Sequence, residues 1–129
     1  MKTFVAIFLV AALSFVLGQF LPWWSVAVAA FAVSLLMSRN PLHAFLIGFT
    51  GVFLFWAAYA FLIDMANESI LSRRVAFLLP LQGNSMLLVL VSGVIGGICG
   101  GLAATCANFL TTSGRPRYDH QNYYRKKFR

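Results

Sequence analysis

Apolar residues in this chain fall into long uninterrupted runs instead of alternating with polar ones. Threonine 3 to phenylalanine 20 carries no charge, and a second run follows from Trp23 to Met37, a third from Leu42 to Ile63 and a fourth from Met86 to Leu110. A bilayer core about 30 Å thick asks for about 20 consecutive apolar residues in a helix. The pattern therefore predicts helices over 3–20, 23–37, 42–63 and 86–110, the first two short for a full crossing. Mismatch of that kind costs only fractions of a kcal/mol per Å, so local thinning or a packed hairpin accommodates it.

The breaks between runs are marked by proline and small polar residues. "LPWW" (21–24) makes a corner, with Pro22 suited to a first helical turn and Trp23 and Trp24 to the membrane interface. "SRNP" (38–41) is a second tight connection. The third break, "DMANESILSRRVAFLLPLQGNS" (64–85), holds the internal charge of the chain apart from Arg39. Within it Ile70, Leu71, Val75, Leu78 and Leu79 recur at three- and four-residue intervals opposite Arg73 and Arg74, and Asn67 or Ser69 suits a helix start. This predicts a short amphipathic helix over about 68–80, lying in the interface. The expected fold class is thus all-α, an integral membrane bundle of four transmembrane helices (domain 1–112) with an interfacial helix between helices 3 and 4, followed by a basic tail over 113–129.

Composition agrees with the pattern. Of 129 residues 60% are hydrophobic and 10% charged, with a mean hydropathy of +0.82, whereas soluble domains carry about 25% charged residues. Net charge is +7, and its distribution gives an orientation. With a cytoplasmic N-terminus, Lys2, Arg39, Arg115, Arg117, Arg125, Lys126, Lys127 and Arg129 lie inside, leaving Arg73 and Arg74 outside. Eight against two is a positive-inside bias that places both termini in the cytoplasm and suits a bacterial inner membrane. A competing reading makes residues 1–18 a secretory signal with Val16 and Gly18 as small residues before a cut; the other three segments keep their orientation under it.

The fourth run contains "GVIGGICGGLAA" (93–104), with five glycines in twelve positions. Gly93, Gly97 and Gly101 are four apart, as are Ser92, Gly96, Gly100 and Ala104, so two adjacent rows of small residues share one broad face. Close backbone approach over small residues is a main source of helix association in lipid. Three neighbours fit this face: a helix of the same chain, the same helix of a second copy, or a helix of a different protein. A pore or ligand lined by the rows is a further reading. On the third helix Ala44 and Gly48 offer a second small-residue approach.

Candidate chemistry is sparse. No ionisable residue falls at hydrocarbon depth, where proton relays and ion-coupled transporters place theirs; only Ser, Thr, Cys and Asn108 are available there. Asp64, Asn67 and Glu68 form a small polar cluster near Arg73 and Arg74, read as local ion pairs or as a cation entrance or docking site. Cys99 and Cys106 lie about 10 Å apart along one helix and cannot bridge, and no histidines or further cysteines complete a metal site. No cofactor is expected, and no grouping for nucleophilic, acid–base or phosphate chemistry assembles, so an enzyme is not expected. In size alone the chain is similar to small multidrug exporters and small fluoride channels, and "TFVAIFLVAALSFVL" lacks the glutamate such an exporter would be expected to carry in its first helix, so nothing is carried over.

The tail "SGRPRYDHQNYYRKKFR" sets six basic residues, among them Arg115, Arg117, Arg125, Lys126, Lys127 and Arg129, against one acid, and interleaves aromatic Tyr118, Tyr123, Tyr124 and Phe128. Anionic headgroups attract such residues at about 1 kcal/mol each; an acidic partner surface is the alternative, and nucleic acid is not favoured for so short a tethered peptide. The expected function is a non-catalytic accessory or scaffold subunit that packs against other membrane proteins. The alternatives are a homo-oligomeric channel or transporter of a small neutral solute, with the glycine rows near the axis, and a lipid enzyme built on residues 64–74.

Overall fold

A computed structural model of the chain describes residues 1–37 and 40–113. Among these, five α-helices and no strand are present: α1 Lys2–Phe20, α2 Ser25–Met37, α3 Pro41–Ala66, α4 Ile70–Leu78 and α5 Ser85–Ser113. By length and composition α1, α3 and α5 are long and apolar enough to cross a membrane. At 1.5 Å per residue α3 reaches about 39 Å and α5 about 44 Å, while the 13 residues of α2 reach only about 20 Å.

Three prolines set three of the helix boundaries. Proline disfavours the α region for the residue before it, and Leu21 (φ −120°, ψ 155°), Asn40 (φ −127°, ψ 147°) and Leu79 (φ −91°, ψ 153°) are all extended ahead of Pro22, Pro41 and Pro80. Pro41 then begins α3 at a position whose N–H would be unpaired anyway. The amphipathic helix is shorter than the pattern suggested, 70–78 instead of 68–80. At its start Glu68 (φ 52°) and Ser69 (φ 56°) take left-handed conformations that a helix excludes; at its end Pro80 has already forced Leu79 out. α3 runs on to Ala66, past the expected Ile63, and the Asn67 side-chain amide donates back to the Ile63 carbonyl at 3.0 Å. Asn84 begins α5: its Oδ1 accepts from the N–H groups of Met86 (3.0 Å) and Leu87 (3.4 Å), satisfying donors that a helix start leaves free.

α3 and α5 form the largest helix interface, and α2 packs on α5 while α1 lies against α2 and α3. The starts of α1 and α3 meet at one end of the bundle, where Thr3 Oγ1 and His43 Nε2 are 3.1 Å apart. The α4 segment sits at the other end, against α5 and α3. The core is a narrow column of small and β-branched side chains, including Ala6, Val10, Ala30, Val33, Ala44, Ile47, Val52 and Ala104.

Candidate functional site

Gly93, Gly96, Gly97, Gly100, Gly101 and Ala104 all lie buried on one stripe of α5. Of the three neighbours that the sequence leaves open, α3 of the same chain takes this face. A Cβ built on Gly93, Gly97 or Gly101 would meet the ring of Phe53, Phe49 or Phe45, respectively, at 2.7–3.1 Å. These three rings stack along α3 with centroids 5.9 Å apart in each step. The second row meets a second row: Gly96 lies under Trp56, and Gly100 lies under Val52 and the Gly48 carbonyl. A Cβ on Gly48 would stand 2.5 Å from the Gly100 carbonyl and 2.6 Å from the Ala104 methyl. Two four-residue rows on α5 thus receive two four-residue rows on α3. The Phe45, Phe49, Phe53 register escaped the sequence reading, although its four-residue spacing was there to be seen.

α2 closes the same seam. Ser34 is buried and its hydroxyl donates to the Ala104 carbonyl at 2.7 Å. This uses a carbonyl of α5 where the small row thins the helix surface. On the other side of α3, Gly51 takes the Val10 side chain of α1.

The polar cluster is a local fastening of α4. Asp64 accepts hydrogen bonds from the hydroxyls of Ser69 (2.8 Å) and Ser72. Ser69 occupies the position before α4, yet its side chain caps no amide there. Serine hydroxyls are the direct hydrogen-bond partners of Asp64, and the charge of Arg73 also favours its ionised form, while Glu68, Arg73 and Arg74 are exposed. Ala76 is the buried residue of α4, so the helix docks by Ser72 and Ala76 and turns its arginines outward. Asn67 is exposed and belongs to the end of α3.

Trp23 and Trp24 are exposed at the α1–α2 corner. Beside them lies a cavity of about 310 Å³. It arises because α2 starts only at Ser25 while α3 and α5 continue alongside, so one helix position is vacant at this end. Phe15, Trp23, Phe55, Trp56 and Tyr59 supply aromatic walls, and Gln19, Ser25, Tyr59 and Ser92 the polar atoms; none of the lining residues is charged. Phe15 meets Phe55 edge to face at 6.3 Å, and Phe55 stacks on Tyr59 at 5.9 Å. Gly18 also lines the space, and a Cβ there would meet nothing within 4 Å.

Ser25 is 1% exposed and its hydroxyl has no hydrogen-bond partner. A buried polar group left in that state costs about 1–3 kcal/mol. Ser14 is in the same condition within α1. A second cavity, about 220 Å³, adjoins the first through Ala60, Ile63 and Ser92 and ends at Asp64 and Ser72.

Among the described residues no group of three or more His, Cys, Asp or Glu comes together as a metal site. Cys99 and Cys106 are free and face outward. The basic tail, with Arg115, Arg117, Tyr123, Tyr124, Arg125, Lys126, Lys127 and Arg129, lies outside the described residues. No protein-family profile, curated protein or solved structure matches the chain.

Proposed function

We propose that this chain is a non-catalytic accessory subunit of a membrane protein complex. In this reading α1, α3 and α5 cross the bilayer, α2 crosses as a short fourth segment, and α4 lies in the outer interface. Both termini are cytoplasmic, in a bacterial inner membrane, and the basic tail meets anionic headgroups or an acidic partner surface. The observation that carries the proposal is how little of the spanning surface one copy covers. In an apolar 18-residue window of α1, α3 and α5, only 17%, 22% and 33%, respectively, is buried inside the chain. α1 buries Ala6, Val10 and Ser14 and turns Phe4 and Phe8 outward.

The glycine rows are engaged by α3, so attachment to other subunits falls to outward faces, α1 first among them. The same engagement weighs against a homo-oligomeric channel with the rows along its axis, since the helix pair would have to part.

A photo-crosslinking residue at Phe8, with native mass spectrometry of the protein drawn from its own membrane in mild detergent, tests the proposal. The expected result is one foreign subunit in fixed stoichiometry, joined at position 8. Crosslinks to lipid alone overturn the accessory role, and a closed ring of identical chains joined at position 8 restores the channel reading.

A further inference from the structure

Independently of the accessory role, the vacant helix position beside the α1–α2 corner is a built cavity with an unanswered hydrogen-bond donor. We propose that it binds the acyl-ester end of one membrane phospholipid, with the Ser25 hydroxyl donating to an ester carbonyl and the chain lying between Phe15 and Trp56.

Four observations select this occupant. The volume, about 310 Å³, is at the low end of small-molecule sites, which run from about 300 to 1,000 Å³, enough for part of an acyl chain and its ester but not for a headgroup. The lining holds no charged side chain, so neither a phosphate nor a fatty-acid carboxylate is accommodated inside, whereas a neutral carbonyl is. Ser25 belongs to that lining, and its hydroxyl is unpartnered and covered; a side-chain rotation brings it to the cavity, where an ester carbonyl supplies an acceptor without adding a donor that would itself need a partner. The cavity also lies at the depth of Trp23, and tryptophans settle at the level where headgroups meet hydrocarbon, which is where lipid esters are found. The headgroup then remains in water beyond the corner.

Gly18 gives a means of blocking the site without crowding the fold, because a side chain there enters open space. The full chain is reconstituted in nanodiscs with diacyl phosphatidylcholine or its dialkyl ether analogue, transferred to mild detergent, and weighed by native mass spectrometry. In parallel, diacyl lipid brominated on its chains reports proximity by quenching fluorescence from Trp23, Trp24 and Trp56. The expected result is one diacyl lipid retained per chain, and about tenfold weaker retention of the ether lipid and of diacyl lipid by Ser25→Ala, the scale of one hydrogen bond to a buried group. Gly18→Phe abolishes retention and most of the quenching with no fall in melting temperature. Absence of a retained lipid, equal retention of ester and ether lipids, or full retention by Gly18→Phe overturns the assignment. If Gly18→Phe fails to fold, Gly18→Leu takes its place, and the ester–ether comparison on the unaltered chain decides without any substitution.

Discussion

Gly100→Ala is the sharpest probe of the α3–α5 seam. The added methyl would lie 2.8 Å from the Gly48 carbonyl oxygen and 2.9 Å from Val52 Cβ, with the Val52 Cγ2 closer still. Ordinary contact begins near 3.4 Å, so the two backbones must part by roughly 0.6 Å, and the obstacle is main chain that no rotamer change removes. Overpacking of this kind typically costs about 1–3 kcal/mol, here toward the upper end, while alanine returns about 1 kcal/mol of helix propensity. The net expectation is destabilisation by about 1–2 kcal/mol. The same substitution at Gly18, where nothing lies within 4 Å, keeps the propensity gain alone and stabilises by up to about 1 kcal/mol. Gly93→Ala, with ring and methyl neighbours at 3.1–3.2 Å, falls between them near zero, since the Phe53 ring can tilt. Reversible unfolding of the three variants in mixed detergent micelles gives the ranking. Equal stability of Gly100→Ala and Gly18→Ala would refute the close approach of α3 to the glycine row, because propensity alone would then account for both.

Three further perturbations test other parts of the architecture. Ser34→Ala removes the hydroxyl bonded to the Ala104 carbonyl and is expected to cost about 0.6 kcal/mol, the average for interhelical side-chain hydrogen bonds in a membrane; unfolding measurements that show no loss would place the bond outside the seam. Asp64→Ala frees the hydroxyls of Ser69 and Ser72, so hydrogen exchange should accelerate across 70–78 while the amides of α5 from Gly93 to Ala104 keep their protection, and uniform acceleration of both would show that Asp64 supports the whole bundle. Cysteines placed singly at Trp23 and Asn84 should react with an impermeant thiol reagent from one side of the membrane and a cysteine at Lys2 from the other, in a background lacking Cys99 and Cys106; reaction of all three from one side would remove the antiparallel crossing of α1.

Much of this architecture was legible because it rests on local physics. A charge-free run of 18 residues is long enough for a membrane-crossing helix, and the prolines at 22, 41 and 80 restrict the residue before them whatever surrounds them. The helix ends shifted by a few residues where side chains intervened. Asn67 carried α3 further, Asn84 capped α5, and the left-handed Glu68 and Ser69 trimmed α4. Arg73 and Arg74 follow Asp64 closely in sequence, yet the phase of α4 turns Ser72 to bond it directly and leaves Arg73 to act through its charge alone.

By itself the sequence determined the long apolar helices, three of them long enough to span a membrane, their breaks and the presence of a face made for close approach. Only the tertiary structure decided what lies on that face. Lipid gives helices no hydrophobic reason to prefer one neighbour over another, so a glycine row specifies a short distance and leaves its partner to shape. The partner is α3, through Phe45, Phe49 and Phe53 on one row and Gly48, Val52 and Trp56 on the other. The cavity beside Ser25 is likewise a property of the assembly, since it exists only because a 13-residue helix stands beside helices of 26 and 29, and a space between elements is written in no single one of them.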